Sequence, residues 1–191
     1  MIIGITGGSG SGKTTLLNEL KKLGALVLDC DAIYHDLLQH DTALLASIEA
    51  RFPGTVKNGQ LQRKKLGNIV FPDKSALVDL NKITHNAIYA EVLRQLEQRP
   101  TLAAIDAIAL FESGLDKLCD ITVAVVAPTD ARLQRLMARD CISQEYAQGR
   151  IDAQPSNDWF REKCGYVLEN DTDAPSFQAK CLAFFSELGI M

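Results

Sequence analysis

With 191 residues, the chain is long enough for one α/β domain that carries a helical insertion, and it is short for two independent domains. Hydrophobic residues make up 47% and charged residues 23% of the chain, which is ordinary for a globular protein and excludes a disordered or collagen-like one. The net charge of −4 and the lack of any apolar run near the roughly 20 residues of a membrane span predict a protein that binds neither nucleic acid nor membrane.

A short β-rich run opens the chain and leads directly into glycines. Residues 1–6 (MIIGIT) predict a buried strand, and residues 7–12 (GGSGSG) predict a glycine turn. Leucines at helical spacing after Lys13 predict a helix that ends at Gly24. Residues 25–29 (ALVLD) predict a second buried strand, which ends in an acidic residue.

Three more apolar runs predict the rest of a sheet, at residues 102–109, 121–127 and 166–168. Continuously apolar strands that alternate with helical segments indicate a parallel sheet covered by helices on both faces. The predicted fold class is therefore α/β, with a five-stranded parallel sheet of the P-loop NTPase type.

Two helical segments interrupt this sheet pattern. Residues 31–100 contain no convincing strand and are far longer than an ordinary crossover, so we predict a helical acceptor-binding insertion there. A second helical segment, over 131–163, is rich in arginine, is broken at residues 155–158 and is predicted to form a lid. A nucleotide-binding core would then consist of the remaining chain, residues 1–30, 101–130 and 164–191.

The strongest motif is the pattern G-x-x-x-x-G-K-[ST], which residues 7–14 match between a predicted strand and a predicted helix. We call residues 7–14 the phosphate loop. Glycines let backbone N–H groups turn toward phosphate oxygens, and the helix N-terminus adds a positive dipole end. Lys13 is expected to neutralise phosphate charge and the Thr14 hydroxyl to bind Mg²⁺, so ATP and Mg²⁺ are the predicted cofactors. The predicted ATP-binding residues here are Gly8, Gly10, Ser11, Gly12, Lys13, Thr14 and Thr15.

Motifs that the chain lacks narrow the class of phosphate-loop protein. Neither N-K-x-D nor D-x-x-G occurs, which argues against a GTPase, and the dinucleotide fingerprint G-x-G-x-x-G is not met. A small sheet with two helical insertions favours a small-molecule kinase. In such an enzyme one insertion holds the acceptor and the arginine-rich one closes over the transferring phosphate.

Two carboxylates follow the second predicted strand. Asp29 and Asp31 lie two residues apart, and on an extended chain such side chains point to the same side. Ligands bind at the carboxyl ends of parallel strands, so we expect Asp31 to accept the proton of an attacking hydroxyl and Asp29 to serve Mg²⁺. A helix N-cap is the alternative role for Asp31, and the two roles are compatible.

Taken together, the segments GITGGSGSGKTT, VLDCDAIYHDLL, LNKITHNAI, LFESGLDKLCD, RLQRLMARDCIS, RIDAQ and YVLEND resemble the dephospho-coenzyme A kinase family. The resemblance implies ATP-dependent phosphorylation of the ribose 3′-hydroxyl of dephospho-coenzyme A, the last step of coenzyme A synthesis. It also implies that Asp31 is the base, that Arg139 and Arg150 are lid arginines, and that Asn170 lies where adenine is recognised. The prolines that the family usually has after His85 and shortly before Leu110 are missing here.

Several further residues carry two interpretations each. His35 follows Asp31 by one helical turn and could touch the same substrate, while His85 matches the family's histidine but could equally be structural. Glu112 could hold Mg²⁺ through water, although a cap of the following segment is favoured. A turn residue is the equal alternative for Asn170.

A stripe of like charge adds to the case for the lid. Arg132, Arg135 and Arg139 fall on one face of a predicted helix, which is unfavourable unless an anion faces them, and this strengthens the prediction for Arg139.

Two other functions stay open at this point: a kinase for another nucleoside or small alcohol, and a switch protein that binds ATP without transferring phosphate. The expected partner is dephospho-coenzyme A alone, with no nucleic acid and no membrane, in a monomer or weak homo-oligomer. Five widely spaced cysteines without a C-x-x-C motif predict reduced thiols and a cytoplasmic protein.

Overall fold

A computed structural model describes residues 1–190 of the chain. Its strands are β1 (Ile2–Thr6), β2 (Leu26–Asp29), β3 (Val56–Lys57), β4 (Gln60–Leu61), β5 (Ala103–Asp106), β6 (Ile121–Val126) and β7 (Tyr166–Glu169). Its α-helices are α1 (Lys13–Lys22), α2 (Cys30–His40), α3 (Thr42–Arg51), α4 (Arg63–Val70), α5 (Lys74–Leu96), α6 (Thr129–Asp140), α7 (Gln144–Asp152), α8 (Asn157–Lys163) and α9 (Ala174–Glu187). A 3-10 helix covers Leu115–Leu118.

The main sheet has five strands in the order β2-β5-β1-β6-β7. Strand β1 runs parallel to both β5 and β6, and β6 runs parallel to β7. In this register Ile5 lies opposite both Asp106 and Val123, so β1, β5 and β6 reach their carboxyl ends at the same edge of the sheet. The phosphate loop leaves the sheet at that edge.

The chain divides into two compact units, residues 1–28 with 100–191, and residues 29–99. The first unit contains the sheet core. Helices α1 and α9 cover one face, where Leu16, Phe177 and Phe185 pack against Ile3 and Ile5 of β1. Burial of side chains on both faces is why these strands read as continuous apolar runs in the sequence.

Helix α8 covers the other face of the sheet, where Phe160 packs on Ala124 and Val126 of β6. A break in the second helical segment is confirmed, but it covers residues 153–156 rather than 155–158, because α7 ends at Asp152 and α8 begins at Asn157. Ser156 caps α8 by accepting a hydrogen bond from the Trp159 N–H.

The second unit consists of α2 to α5 around an apolar core that includes Ile48, Phe52 and Leu66. It also contains the antiparallel hairpin β3–β4, so the prediction that residues 31–100 lack strands was wrong. Asn58 and Gly59 form its two-residue turn with φ values of 53° and 72°. An Asn-Gly pair adopts such positive φ angles easily, and this turn aligns two short strands that are too brief to show an alternating pattern.

The predicted strand over 102–109 is shorter in the structure, where β5 ends at Asp106. The reason is the loss of a pairing partner: β1 ends at Thr6, and the chain then turns into the phosphate loop. After a last backbone hydrogen bond from Ala107 N–H to the Ile5 carbonyl, the β5 chain leaves the sheet.

Among residues 1–190, no helix combines the length and the apolar character that crossing a membrane requires.

Candidate functional site

The phosphate loop is a tight turn between β1 and α1, and half of its residues are buried. Gly12 sits immediately before α1 with a φ of 106°, which is a left-handed conformation. A side chain on Gly12 would collide with the amide of Asn170. Only glycine meets both conditions, so this motif position follows from backbone geometry and from close packing.

Hydrogen-bond donors of the loop divide into two groups. Ser11 N–H donates to the Gly8 carbonyl at 3.1 Å, and Ser9 N–H donates to Gln154 Oε1 at 2.8 Å. The N–H groups of Gly10 and Gly12 have no acceptor within residues 1–190. Backbone donors left in this way at a helix N-terminus form a binding site for an anion.

Three side chains from outside the loop bind its carbonyl groups. Arg132 Nε donates to the Ser9 carbonyl at 3.0 Å. Arg135 Nη1 donates to the Gly10 carbonyl at 3.2 Å and to the Ser11 carbonyl at 3.4 Å. Asn170 Nδ2 also donates to the Ser11 carbonyl, at 2.7 Å. We call Arg132, Arg135 and Asn170 the carbonyl clamp. In a trans peptide group the C=O of one residue and the N–H of the next point in opposite directions, so binding the Ser9 and Ser11 carbonyls directs the N–H groups of Gly10 and Gly12 away from the clamp.

Lys13 and Thr14 begin α1 at the end of the loop. Lys13 Nζ donates to the Gly7 carbonyl at 2.8 Å, so the ammonium group folds back over the loop. Thr14 is exposed, and its hydroxyl can reach a ligand without any rearrangement of the core. Thr15 is half-buried, and its N–H donates to the Gly12 carbonyl at 3.0 Å.

Asn170 follows β7 and is 4% exposed. Its amide oxygen accepts from Arg135 Nη2 at 3.2 Å, and its amide nitrogen donates to the loop, so both ends of the side chain are engaged inside the protein. The alternative role as a simple turn residue does not account for these contacts. Recognition of adenine by Asn170 stays a prediction.

Asp140 joins the two predicted lid arginines. Arg139 Nε donates to its Oδ1 at 2.7 Å and Arg139 Nη2 to its Oδ2 at 3.0 Å, while Arg150 Nη1 donates to Oδ2 at 2.6 Å. Hydrogen bonds from Arg139, and then from Arg150, lower the pKa of Asp140 to about 2. Both guanidinium groups are therefore held together by one carboxylate at the end of α6.

The arginine stripe on α6 faces two different partners. Arg132 and Arg135 contact the phosphate loop, whereas the anion that faces Arg139 is the neighbouring Asp140. Of the three arginines, the structure brings Arg132 and Arg135 to the loop by hydrogen bonds. Arg139 and Arg150 are paired with each other through Asp140 instead.

The local geometry of Asp29 and Asp31 differs from the extended chain that the sequence predicted. Asp29 ends β2 and is the N-cap of α2, where its Oδ1 accepts from Asp31 N–H and Ala32 N–H, both at 3.0 Å. Asp31 already lies in the first helical turn and is exposed. The expectation that both carboxylates extend from one strand was therefore wrong, and so was the N-cap alternative for Asp31.

The remaining predicted residues are distributed as follows. His35 lies on α2 one turn after Asp31 and is exposed, while His85 lies within α5 and is half-buried. Glu112 is exposed, and the 3-10 helix after it has Gly114 as its N-cap, without a side-chain cap. The favoured capping role of Glu112 was wrong, because the chain enters this helix through the left-handed backbone of Gly114.

Two residues of the site were missed in the sequence. Gln154 Nε2 donates to Ser9 Oγ at 2.7 Å, and its Oε1 accepts from Arg132 as well as from Ser9 N–H. Asp106 ends β5 beside the carboxyl end of β1, where the loop begins. An acid at the end of an apolar strand is the same signal that singled out Asp29, so Asp106 could have been found.

The second unit contains a cavity of about 300 Å³ between α2, α4 and α5. Its walls are apolar apart from Tyr34 and Arg63, and burial raises the pKa of the Tyr34 phenol, partly offset by the nearby Arg63. Phe71 lines this cavity although 80% of its surface is exposed. A neighbouring groove shares Leu61 and Arg63 with the cavity and adds Lys64 and Lys65.

Comparisons with known proteins agree with one another. A family model described as Dephospho-CoA kinase matches residues 1–176. The Dephospho-CoA kinase of Moorella thermoacetica is 36% identical over 194 residues, and that of Syntrophotalea carbinolica 34% over 195 residues; each alignment covers 98% of this chain and 92% of the relative. A solved Dephospho-CoA kinase from Campylobacter jejuni matches with a TM-score of 0.71 at 27% identity, over 100% of this chain and 98% of that one. The predicted fold class is confirmed by this likeness.

The Asp140 carboxylate provides a prediction that needs no substrate. We expect a carbon-detected NMR titration of its carboxyl group to give a midpoint near 2, compared with about 3.9 for an ordinary aspartate. Because the folded-state pKa is lowered, the pairing stabilises the fold above pH of about 4 and this contribution is lost as the pH falls through 2. Arg150→Gln should raise the midpoint.

Arg161→Gln, at an exposed arginine paired with Asp158 and Glu169, is the control and should leave the Asp140 midpoint unchanged. A wild-type midpoint at the ordinary aspartate value would contradict the pairing.

Proposed function

Since the chain belongs to the dephospho-coenzyme A kinase family, we propose that its phosphate loop binds ATP, that residues 29–99 bind the acceptor and that residues 131–163 act as a lid. The protein is a phosphotransferase with an alcohol acceptor. It transfers a phosphoryl group from ATP to the ribose 3′-hydroxyl of dephospho-coenzyme A, which yields coenzyme A and ADP and completes coenzyme A synthesis. The other two functions left open by the motifs, a different acceptor or a mere switch, have no comparable support.

One observation supports the proposal that the loop binds ATP. Side chains bind the loop carbonyls, while the N–H groups of Gly10 and Gly12 stay available for a phosphate. Preorganised donors stabilise charge that develops during the reaction without a cost for reorganisation at that moment. Lys13 would exchange the Gly7 carbonyl for a phosphate oxygen and add a positive charge there.

Mg²⁺ fits the oxygen donors that this chain offers. We propose that Thr14 binds it through the exposed hydroxyl, with Asp29 as predicted and Asp106 as a further carboxylate. Residues 1–190 contain no cluster of three or more metal-binding side chains. Mg²⁺ is usually held by one or two protein oxygens together with substrate phosphates, so such a cluster is not required. When bound, the ion would neutralise charge on the phosphates.

Asp31 is proposed as the group that accepts the proton of the attacking ribose hydroxyl. Its exposed carboxylate is not engaged in capping α2, since Asp29 does that. His35 is proposed to contact the acceptor because it lies one helical turn from Asp31. His85, on α5, is proposed to do so because it matches the family's histidine.

Arg139 and Arg150 are proposed to bind the transferring phosphate when the lid closes. Asp140 holds the two guanidinium groups side by side and partly exposed, so they are positioned as a pair before any ligand arrives. Arginines positioned in this way can stabilise the charge of the phosphoryl group in the transition state. Closure would exchange hydrogen bonds to Asp140 for hydrogen bonds to phosphate.

The cavity of the second unit is proposed to hold an apolar part of the acceptor. Dephospho-coenzyme A joins a long organic arm and an adenosine through a diphosphate, so it needs apolar walls next to positive charge. The apolar cavity and the basic groove, which share Leu61 and Arg63, have these properties side by side.

We further propose that the protein works in the cytoplasm, as a monomer or weak homo-oligomer, without nucleic acid. A net charge of −4 makes broad attraction to nucleic acid unfavourable.

The activity is tested by measuring ADP release from ATP with and without dephospho-coenzyme A, and then with a panel of nucleosides. We expect release only with dephospho-coenzyme A. Lys13→Ala should reduce turnover by about 10²-fold or more, because the positive charge acts most strongly in the transition state. Lys21→Ala, an exposed lysine on the same helix, is the control. Stronger stimulation by a nucleoside would contradict the acceptor assignment.

Asp31→Asn tests the proton acceptor. We expect single-turnover transfer at saturating substrates to slow by about 10²–10⁴-fold. The melting temperature should stay the same, because Asp29 and not Asp31 caps α2. Asp36→Asn, on the same helix, serves as the control. Equal transfer rates in Asp31→Asn and the wild type would exclude the role.

Arg63→Gln tests the acceptor cavity. The KM for dephospho-coenzyme A should rise by about 10-fold or more, as expected when a hydrogen bond to a charged group is lost. The KM for ATP should not change. Lys57→Gln removes an exposed charge from the β3–β4 hairpin of the same unit and is the matched control. A parallel rise in both KM values, or no rise in either, would refute the assignment.

A further inference from the structure

Arg132 is a buried arginine at the back of the phosphate loop. Only 3% of its surface is exposed. Its Nε donates to the Ser9 carbonyl and its Nη2 to Gln154 Oε1, each at 3.0 Å, and both acceptors are neutral. Within residues 1–190, no carboxylate forms an ion pair with this guanidinium.

A buried cation with neutral partners alone is costly. Removal of a charge from water is compensated well only by an opposite charge. Burial lowers the pKa of the Arg132 guanidinium, yet arginine remains protonated at every pH at which proteins are folded. The protein without ligand therefore carries an uncompensated positive charge at this position.

The location of this charge indicates what compensates it. The guanidinium fills the space that a side chain on Gly8 would occupy, and the Arg132 backbone lies against Gly10. Only the backbone of the loop would therefore lie between Arg132 and a ligand bound on the loop. Arg135, the second arginine of the carbonyl clamp, also contacts only neutral acceptors: the Gly10 and Ser11 carbonyls and the Asn170 amide oxygen.

We propose that Arg132 is a positioning residue whose buried positive charge is balanced by the phosphates of the bound nucleotide, so that the loop selects ligands by their phosphate charge. The hydrogen bond to the Ser9 carbonyl orients the loop, and the charge acts through the loop on the phosphates without contact. Gln154 holds Ser9 and Arg132 together from the end of the lid segment. The proposal rests on the proposed use of ATP as donor and not on the identity of the acceptor.

Arg132→Gln removes the charge and keeps a hydrogen-bond donor. Binding of ATP, ADP and AMP to the full chain, without acceptor, is measured by calorimetry alongside thermal melting of the ligand-free protein. A unit charge at about 6–8 Å and an effective dielectric constant of about 20 predicts that ATP binds roughly 10- to 100-fold more weakly. ADP should lose less and AMP least. The ligand-free variant should melt at the same temperature as the wild type or higher, because a buried unbalanced charge is gone.

Arg132→Lys keeps the charge and should recover most of the ATP affinity, although it loses the planar fork of donors. Lys21→Gln changes the net charge equally at an exposed position in the last turn of α1, outside the loop and the lid segment, and should leave all three affinities unaltered. The proposal fails if ATP, ADP and AMP weaken by the same factor, if ATP affinity is unchanged, or if the ligand-free Arg132→Gln protein melts lower or does not fold. Absence of turnover with dephospho-coenzyme A would instead refute the function and leave these binding results intact.

Discussion

The orientation of the phosphate-loop peptides is the constraint on which the rest of the structure depends. Every peptide group that points its N–H at a phosphate must point its carbonyl elsewhere, and a buried carbonyl needs a donor. Here the donors come from α6 and from the chain after β7: Arg132, Arg135 and Asn170 bind the carbonyl groups of residues 9–11. The parallel register of the sheet makes these contacts possible, because it brings the carboxyl ends of β1, β6 and β7 to one edge.

The same constraint places the loop contacts and the arginine pair on Asp140 on one helix, α6. Helix α6 contacts the loop at its start and carries Asp140 with Arg139 at its end. One helix therefore connects the backbone of the phosphate loop to the position of Arg139 and Asp140. Gln154 adds a second connection, because it reaches Ser9 from just beyond α7.

Much of this architecture was predictable from the sequence, and the failures have physical causes. Residues 7–14 identified the loop because its glycine, lysine and threonine positions follow from local backbone chemistry. The carbonyl clamp could not be predicted in the same way: Asn170 is 159 positions from Ser11, and nothing local states which groups a folded chain brings together. The N-cap of α2 was misplaced from Asp29 to Asp31 because a shift of two residues is within the uncertainty of any helix boundary. The hairpin at Asn58 was missed because two-residue strands have no period to detect.

The contact between Gly12 and Asn170 has a consequence for how such chains can be recombined. The amide of Asn170 occupies the volume that a side chain at Gly12 would need, and it binds Ser11 as well. A chimera could take residues 7–14 from one parent protein and the segment after β7 from another. The loop backbone and the side chain at position 170 would then come from proteins in which they did not pack against each other. Crossover points should therefore keep the two segments from the same parent, whatever is exchanged between residues 29 and 99.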